Sequence, residues 1–528
     1  MGKLVEQLDT IAGIETKGIA AFLERGAFVF FLMMILMAPH SIAATQIAWL
    51  TGMLIWIVRH FVRPVPYSKA TFFAVPILAL YGWTIVSSLM SYAPDISMTK
   101  VRGTAVFFIF FYSFNQLRTR RAIKLAAGAL IFSCMVNVLW MPLERIIGKG
   151  VKIESIKTDG PLYRAGFRDG NSLLKANDKR LDKPADLVEE IERSGEAEIR
   201  YYSDGHYWQW KVAKRDLLPG DSPIQKLGIG TWSKSRSWRS SGFYGHYATY
   251  AEVVQLIGSL TFGLLIASLT LFLAQRNNPD SGEKNDQRKS LYPTDCRGLG
   301  KWSILLAICF GLMSFALLLT ITRASQAGFL VSLFVIVLLS GGRKLVAGLL
   351  ILAIPAVIGG IIFIQQTRGF ESVKGSDSST TWRLNVYREG IGLWTKNPRN
   401  LTFGVGMDSI KRYADEWHLF QEGGFGHFHS TPIQLLAERG FPALILWLWM
   451  FCAYLWTLFK ALRRNEFEDW KEKGIVLGAF GGCVGFLVSS LVHYNYGDME
   501  VLMLFYMIMG ASMALVLGIM RNNAQADR

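Results

Sequence analysis

Long runs of apolar residues dominate this chain. Hydrophobic residues make up 51% of its 528 residues, with 34 Phe and 16 Trp. A bilayer core about 30 Å thick takes roughly 20 apolar residues in a helix, so the sequence predicts an all-α polytopic membrane protein. The twelve predicted spans are about 21–38, 42–58, 71–91, 103–116, 122–143, 247–274, 302–321, 327–340, 345–364, 442–462, 474–492 and 501–520.

Lys and Arg in the connecting segments indicate the orientation. They cluster in 59–69, 118–124, 343–344 and 460–473, which all fall on one side. Cytoplasmic loops are enriched in these residues, so that side is predicted to be the cytoplasm, with both termini in it. Much of the net charge of +16 then reflects topology, and no nucleic-acid partner is predicted. The five cysteines are scattered without metal or disulfide spacing.

A polar insertion between the fifth and sixth spans reads as a small α/β domain over residues 148–213. Strands are predicted at 150–156, 172–177 and 197–202, and a helix at 185–193. The stretch GPLYRAGFRDGNSLLKANDKRL resembles the PDZ family. PDZ domains add a peptide as an extra strand, which implies a periplasmic peptide or protein partner. The expected carboxylate loop near 147–150 is degenerate, so a spacer or docking role stays open.

A second polar stretch, Gln365 to Gly440, separates two apolar spans. Loops this long are rarely idle. Its end is predicted to start a helix, with a capping box between Thr431 and Gln434 and with Pro432 at the first helical position. His429 would then precede a helix N-terminus, which suits a phosphate.

Arginines are predicted at the same, extracytoplasmic ends of the spans. Arg236 and Arg239 precede the sixth span, and Arg323 lies in the tight turn between the seventh and eighth. Arg suits phosphate oxygens, although Arg323 also fits contact with lipid phosphates. Arg383 falls in a helix, predicted to lie on the membrane and to end at Asn397-Pro398.

Histidine at position 429 suits a base toward an acceptor hydroxyl or a donor to phosphate, and a capping role is its alternative. His427 shares its face if the segment is extended. Alternative bases are Glu389, Asp408 and Glu438.

These pieces together resemble the O-antigen ligase and O-antigen polymerase superfamily. The resemblance runs from about Trp238 to the C-terminus and rests on the following motifs: Arg239-Ser-Ser-Gly-Phe-Tyr-Gly-His, Thr322-Arg-Ala-Ser, Trp382-Arg-Leu-Asn-Val-Tyr, Gly404-Val-Gly, and His429-Ser followed after nine residues by Gly440. Members are multispanning GT-C-type inverting glycosyltransferases. They pass a glycan from an undecaprenyl-pyrophosphate carrier to lipid A core, another glycan or a protein. Where the family has a second Gly, this chain has Ala443.

The resemblance implies a bacterial inner-membrane enzyme with a periplasmic active site and no metal or cofactor. It implies three parts: helices 1–5 in residues 1–147, the PDZ-like insertion, and a ligase-like membrane domain over 214–528 with the loop 365–440. By the same resemblance, Arg239 and Arg323 hold the pyrophosphate and His429 serves the acceptor. The predicted substrate-binding residues are Arg236, Arg383, Tyr387, Arg388 and His427.

Two other functions fit parts of the sequence. A flippase or transporter for a lipid-linked sugar also needs spans and a basic pocket, but transporters show internal repeats and polar residues near the midplane. A membrane scaffold would recruit partners through the PDZ-like domain. A protease is disfavoured, because no histidine lies in an H-E-x-x-H pattern and no G-x-S-x-G is present.

Overall fold

A computed structural model describes residues 2–62, 71–203, 205–277, 296–341, 378–421 and 426–526. The chain forms two compact units. The first, called here the membrane unit, comprises residues 1–137, 243–353 and 378–528. The second, the α/β unit, comprises residues 138–242 and 354–377, of which the latter lie outside the described ranges.

The described helices are, in chain order, α1 (Gly2–Ala12), α2 (Gly18–Met37), α3 (Ile42–Val62), α4 (Thr71–Leu89), α5 (Pro94–Thr104), α6 (Phe108–Gln116), α7 (Arg120–Ile147), α8 (Pro161–Arg164), α9 (Pro184–Ser194), α10 (Pro223–Leu227), α11 (Tyr247–Asn277), α12 (Cys296–Leu319), α13 (Arg323–Ser340), α14 (Ser378–Thr395), α15 (Pro398–Phe403), α16 (Ser409–Tyr413), α17 (Thr431–Arg464), α18 (Trp470–Ser490) and α19 (Met499–Ala526). The strands are β1 (Val151–Ile156), β2 (Ser172–Ala176), β3 (Lys179–Arg180), β4 (Glu196–Ser203), β5 (His206–Ala213) and β6 (Ile229–Lys234).

Within the described ranges, nine helices are long and apolar enough to cross a membrane. They are α2, α3, α7, α11, α12, α13, α17, α18 and α19, and they make the chain an α-helical polytopic membrane protein. A shorter apolar helix covers Phe73–Leu89, where a span is predicted. The predicted span 345–364 lies outside the described residues.

The predicted span 103–116 is wrong as a single helix. The polar helix α5 ends at Thr104, a 3₁₀ turn covers Ala105–Phe107, and α6 then begins. The charged residues Lys100 and Arg102 in α5 interrupt the apolar pattern just before the turn. Most side chains of α6 are buried, so this segment packs inside the membrane unit.

Small residues allow the closest helix contact of the membrane unit, between α11 and α18. A Cβ on Gly263 would lie 2.4 Å from the backbone nitrogen of Gly478. Because lipid gives no hydrophobic drive for helices to associate, close backbone approach at small residues is a common way to gain van der Waals contact. The pair α11 and α18 therefore forms the centre of the bundle, with α13 packed on both.

Helix α14 packs on protein through its apolar residues Val386 and Leu393, and its position on the membrane stays a prediction. Val386 and Leu393 are buried in a cluster with Val405, Phe428 and Ala437. The loop 365–440 is thus long enough to bury its own apolar side chains in a small core. The helix ends at Thr395 as predicted, and Asn397 caps the next helix by accepting from the Asn400 N–H at 2.9 Å.

The α/β unit contains a sheet with strand order β5-β4-β2-β1-β6, to which β3 adds beside β2. The predicted strands and helix are confirmed as β1, β2, β4 and α9. Helix α9 buries Leu187 and Ile191 against the sheet, in one core with Ile153 and Phe167. Alternating apolar residues in the strands and an amphipathic α9 account for this arrangement.

Strand β1 has a neighbouring strand on both sides, so it is not an edge at which a peptide strand can be added. It pairs antiparallel with β2 on one side and with β6 on the other. The loop before β1 is hydrogen-bonded to the same unit, since the Lys149 N–H donates to the Ser235 carbonyl at 2.9 Å. The sequence pattern missed this because β6 lies beyond the predicted domain end at residue 213.

A break at Gly440 divides α17 into two helical segments. Gly440 has φ 76° and ψ 178°, a conformation that side chains disfavour. Pro442 lacks an N–H, so the carbonyl of Glu438 has no helical donor four residues later. The upper segment, 431–439, therefore ends with free carbonyls.

The turn 404–406 and helix α4 donate hydrogen bonds to these carbonyls. The N–H groups of Val405 and Gly406 donate to Ala437 and Glu438 oxygens, each at 2.8 Å. The Trp83 Nε1 donates to the Arg439 carbonyl, also at 2.8 Å. Since buried carbonyls need partners, these bonds fix the upper segment and the residues just before it.

Replacing Gly440 by alanine should damage this junction. The new Cβ would lie 1.9 Å from the carbonyl oxygen of Thr402, and the positive φ adds strain. We expect a loss of more than about 3 kcal/mol, measured as a fall in Tm of about 5 °C or more in detergent. Gly392→Ala is the control, because nothing lies within 4 Å of its added Cβ. Equal melting of both variants would contradict this account.

Candidate active site

The segment before α17 is held by bonds on both sides. The Phe428 N–H donates to Gln434 Oε1 at 2.7 Å. Thr431 donates to the His493 carbonyl through its N–H and its hydroxyl, each at 3.1 Å. The helix begins at Thr431, one residue before the predicted first helical residue Pro432, and the capping box is wrong: Ser430 is the N-cap and gives no side-chain bond. The side chains of Thr431 and Gln434 are used for these other contacts instead.

Four of the histidines meet at this end of the membrane unit. The rings of His427 and His429 lie 4.1 Å apart between centroids, and His429 has a left-handed backbone with φ 50°. His246 and His493 are near enough for their charges to act on both rings. The cluster joins three separate parts of the chain.

Burial keeps the paired histidines neutral. It lowers the pKa of His427 to about 4 and that of His429 to about 2, with neighbouring cationic groups acting in the same direction. Charged imidazole is disfavoured where water is excluded and positive charges surround it. Both rings are therefore unprotonated at neutral pH, and the same lowered pKa makes each of them a weaker base.

Helix α14 brings two predicted residues to His429. The Tyr387 hydroxyl donates to the His429 carbonyl at 3.3 Å, and the Arg383 charge contributes to the lowered pKa of His429. Trp382 packs edge-on against the ring at 5.0 Å. Arg388 is exposed and bonds Asn385 on its own helix at 3.2 Å, so it belongs to a different face.

Arg323 is the first residue of α13 and is half-buried. Two residues later, Ser325 donates to the buried Glu252 at 3.1 Å. The other Glu252 oxygen accepts from Ser489 at 2.9 Å, and the His493 ring lies 3.4 Å from the carboxylate. The α13 turn is thus connected through Glu252 to the histidine cluster.

Arg236 and Arg239 belong to the α/β unit. Arg239 is buried, and its Nε donates to the Gly205 carbonyl at 2.9 Å. Arg236 is exposed, and its carbonyl accepts from Arg145 at 2.9 Å. These bonds give Arg239 a local packing role, and its part in pyrophosphate binding stays a prediction.

A cavity of about 450 Å³ opens beside the histidine cluster within the membrane unit. Of the predicted site residues, His427 is among the described residues that line this cavity. The charged lining residues are Lys100, Asp408, Lys411, Glu438, Arg439 and Asp498. Its apolar lining includes Ile77, Leu80, Val106, Phe107 and Leu502.

The three alternative bases, Glu389, Asp408 and Glu438, differ in their ion-pair and hydrogen-bond partners. Lys100 and Lys411 lie 2.8 and 3.2 Å from Asp408. Although burial acts to raise its pKa, these lysines hold the pKa of Asp408 below its usual range. Glu389 accepts from the Phe420 N–H at 2.9 Å, and Glu438 accepts from the Asp408 N–H at 2.9 Å. Of these three, Glu438 and Asp408 face the cavity.

Several residues of this region were not predicted from the sequence as site residues. Lys100 and Arg439 line the cavity, whereas Glu252 and His493 support the cluster. The one available signal was position, since His493 lies in the short segment between the last two spans and Arg439 directly precedes Gly440. In the described ranges, no three His, Cys, Asp or Glu side chains are placed to hold a metal ion.

Comparison with known proteins gives a family match. None of the curated proteins matches the chain. Residues 308–448 match the family model described as O-antigen ligase, and this range contains Arg323, Arg383, His427 and His429. The match supports the O-antigen ligase superfamily.

Proposed function

We propose that this protein is an inverting glycosyltransferase of the bacterial inner membrane. It transfers a glycan from an undecaprenyl-pyrophosphate carrier to an acceptor hydroxyl at the periplasmic face. The observation that carries the proposal is that the O-antigen ligase match contains His429, Arg383 and Tyr387, and that the fold brings Tyr387 and the Arg383 charge to the half-buried His429. The superfamily has a glycan-ligating or polymerising role in membranes.

The cations are suited to the leaving group. Breaking the bond between a sugar and a pyrophosphate builds negative charge on the phosphate oxygens, and fixed donors there lower the barrier. Arg323 and Arg383 take this role in the proposal, with Arg239 kept as a third candidate. Arg323 starts α13, and helix N-termini also favour anions.

His429 takes the acceptor side. As a neutral ring it accepts the proton of the attacking hydroxyl while the sugar bond to the pyrophosphate breaks. A base with a pKa of about 2 is weak, but a bound pyrophosphate is negative and raises the pKa of a nearby histidine. Donor binding would thus prepare the base at the moment of transfer.

Loss of either key side chain should abolish transfer. We expect Arg323→Ala and His429→Ala each to slow transfer by about 100- to 1000-fold, by analogy with oxyanion donors. The measurement uses purified protein, a labelled glycan on undecaprenyl pyrophosphate, and deproteinised cell-envelope extract as a mixed acceptor. Lys396→Ala is the matched control, because Lys396 is an exposed cation in the turn after α14.

Normal transfer by either variant would remove that residue from the proposed site. Binding of the carrier without any transfer, weakened in Arg323→Ala, would instead favour a flippase. Loss of function on deleting residues 150–213 alone, with both variants active, would favour a scaffold.

The pH dependence of transfer should carry the signature of buried neutral histidines. The dependence of kcat/KM on pH reports pKa values of the free enzyme. Because burial lowers the pKa of His427 to about 4 and of His429 to about 2, their reactive neutral form persists as the pH falls. We expect no acid limb from these residues between pH ~5 and ~8.

Profiles of wild type and His427→Gln over this range test the expectation. A fall in the wild-type kcat/KM centred near pH ~6.5, the ordinary histidine value, that disappears in His427→Gln would contradict it. The pH profile of kcat reports the bound complex. As the pH is lowered, kcat is expected to fall at a higher pH than kcat/KM, because a bound pyrophosphate raises the pKa of a nearby histidine.

A further inference from the structure

Arg439 is a buried charge whose guanidinium forms few hydrogen bonds within the described residues. Its exposed fraction is 3%. Its Nη1 lies 3.4 Å from Thr84 Oγ1, while its Nε is buried and finds no hydrogen-bond partner in the described part of the chain. A guanidinium has five N–H donors, so most of its bonding capacity is left unused.

A buried guanidinium with so few hydrogen bonds is costly in free energy without a ligand. Charged groups within membrane segments carry a large desolvation cost, and they pair or mark a substrate pathway. Glu438 is the neighbouring carboxylate, and the Arg439 charge acts on it. It accepts from the Asp408 N–H at 2.9 Å, however, and no ion pair within 4 Å joins it to Arg439 among the described residues. The hydrogen bonds that the guanidinium lacks are therefore left for a ligand from outside.

The cavity gives such a partner a place. Arg439 lines it together with Lys100, Lys411 and His427, and with the carboxylates of Asp408, Glu438 and Asp498. Both lysines pair with Asp408, so Arg439 is the lining cation without a close ion pair among the described residues. Its volume of about 450 Å³ falls within the range of small-molecule sites. The bond from Trp83 Nε1 to the Arg439 carbonyl and the break at Gly440 fix the backbone of Arg439 at this wall.

We propose that this cavity is an anion-binding sugar subsite in which Arg439 binds a phosphate or carboxylate carried by a saccharide. Arg323 and Arg383 are not among the described lining residues, so this anion is distinct from the pyrophosphate assigned to them. The sugar part of the ligand rests on the proposed glycan transfer. Arg recognises phosphate and carboxylate through the same fork of donors.

The test is thermal unfolding of the purified full chain in detergent, titrated with glucose 1-phosphate, glucuronate or neutral glucose. A ligand that binds the folded state raises Tm with concentration. At least one anionic sugar should stabilise the wild type while glucose does not, and the stronger of the two identifies the anion as phosphate or carboxylate. Arg439→Met should weaken the apparent Kd by about tenfold or more, and Arg323→Ala should leave it unchanged.

Without ligand, Arg439→Met should melt at the wild-type temperature or above, because it removes a buried charge that forms few hydrogen bonds. A large fall in that Tm would assign Arg439 a structural role and overturn the proposal. It would also fail if neither anionic sugar stabilised the wild type, if Arg439→Met kept full affinity, or if Arg323→Ala lost it equally. Because the readout is binding, absent glycan transfer would count against the proposed function and leave this result standing.

Discussion

The break in α17 is the constraint on which the rest of the site depends. A glycine in the left-handed region and a proline two residues later remove helical donors from the carbonyls at the end of the upper segment. In a buried environment those carbonyls need other partners. The turn 404–406 and Trp83 provide them, which ties the large loop to helix α4 and places Glu438 and Arg439 at the cavity wall.

From that junction the site is built by elements far apart in the chain. The upper segment of α17 positions the histidines, and α14 covers them with Tyr387 and Trp382. Glu252 in α11 links α13, α18 and His493. The outcome is a region where neutral imidazole rings lie near the Arg383 cation, which the proposed function assigns to the negatively charged pyrophosphate.

The sequence was informative where a single local pattern decides the structure. Apolar runs predicted the membrane helices, and Pro432 indicated the helix start to within one residue. Alternation predicted the strands of the α/β unit. His427, His429, Arg383 and Tyr387 were all expected near the site, and the fold brings these four together.

Features that depend on tertiary partners were not accessible in the same way. The capping box failed because Thr431 and Gln434 bond elsewhere, to His493 and Phe428. The pairing of β6 with β1 joins residues about 80 positions apart, and Lys100 reaches Asp408 across more than 300. No periodicity encodes such contacts. The sparse hydrogen bonding of Arg439 is likewise visible only when its surroundings are known.

The most direct measurement follows the fate of both halves of the donor in one reaction. Purified protein is given a carrier-linked labelled glycan and an envelope acceptor, and the label and the lipid are quantified separately. The account predicts that label enters the acceptor while undecaprenyl pyrophosphate is released in equal amount. Label that stays on the lipid, with no free carrier formed, would contradict glycan transfer as the function of this protein.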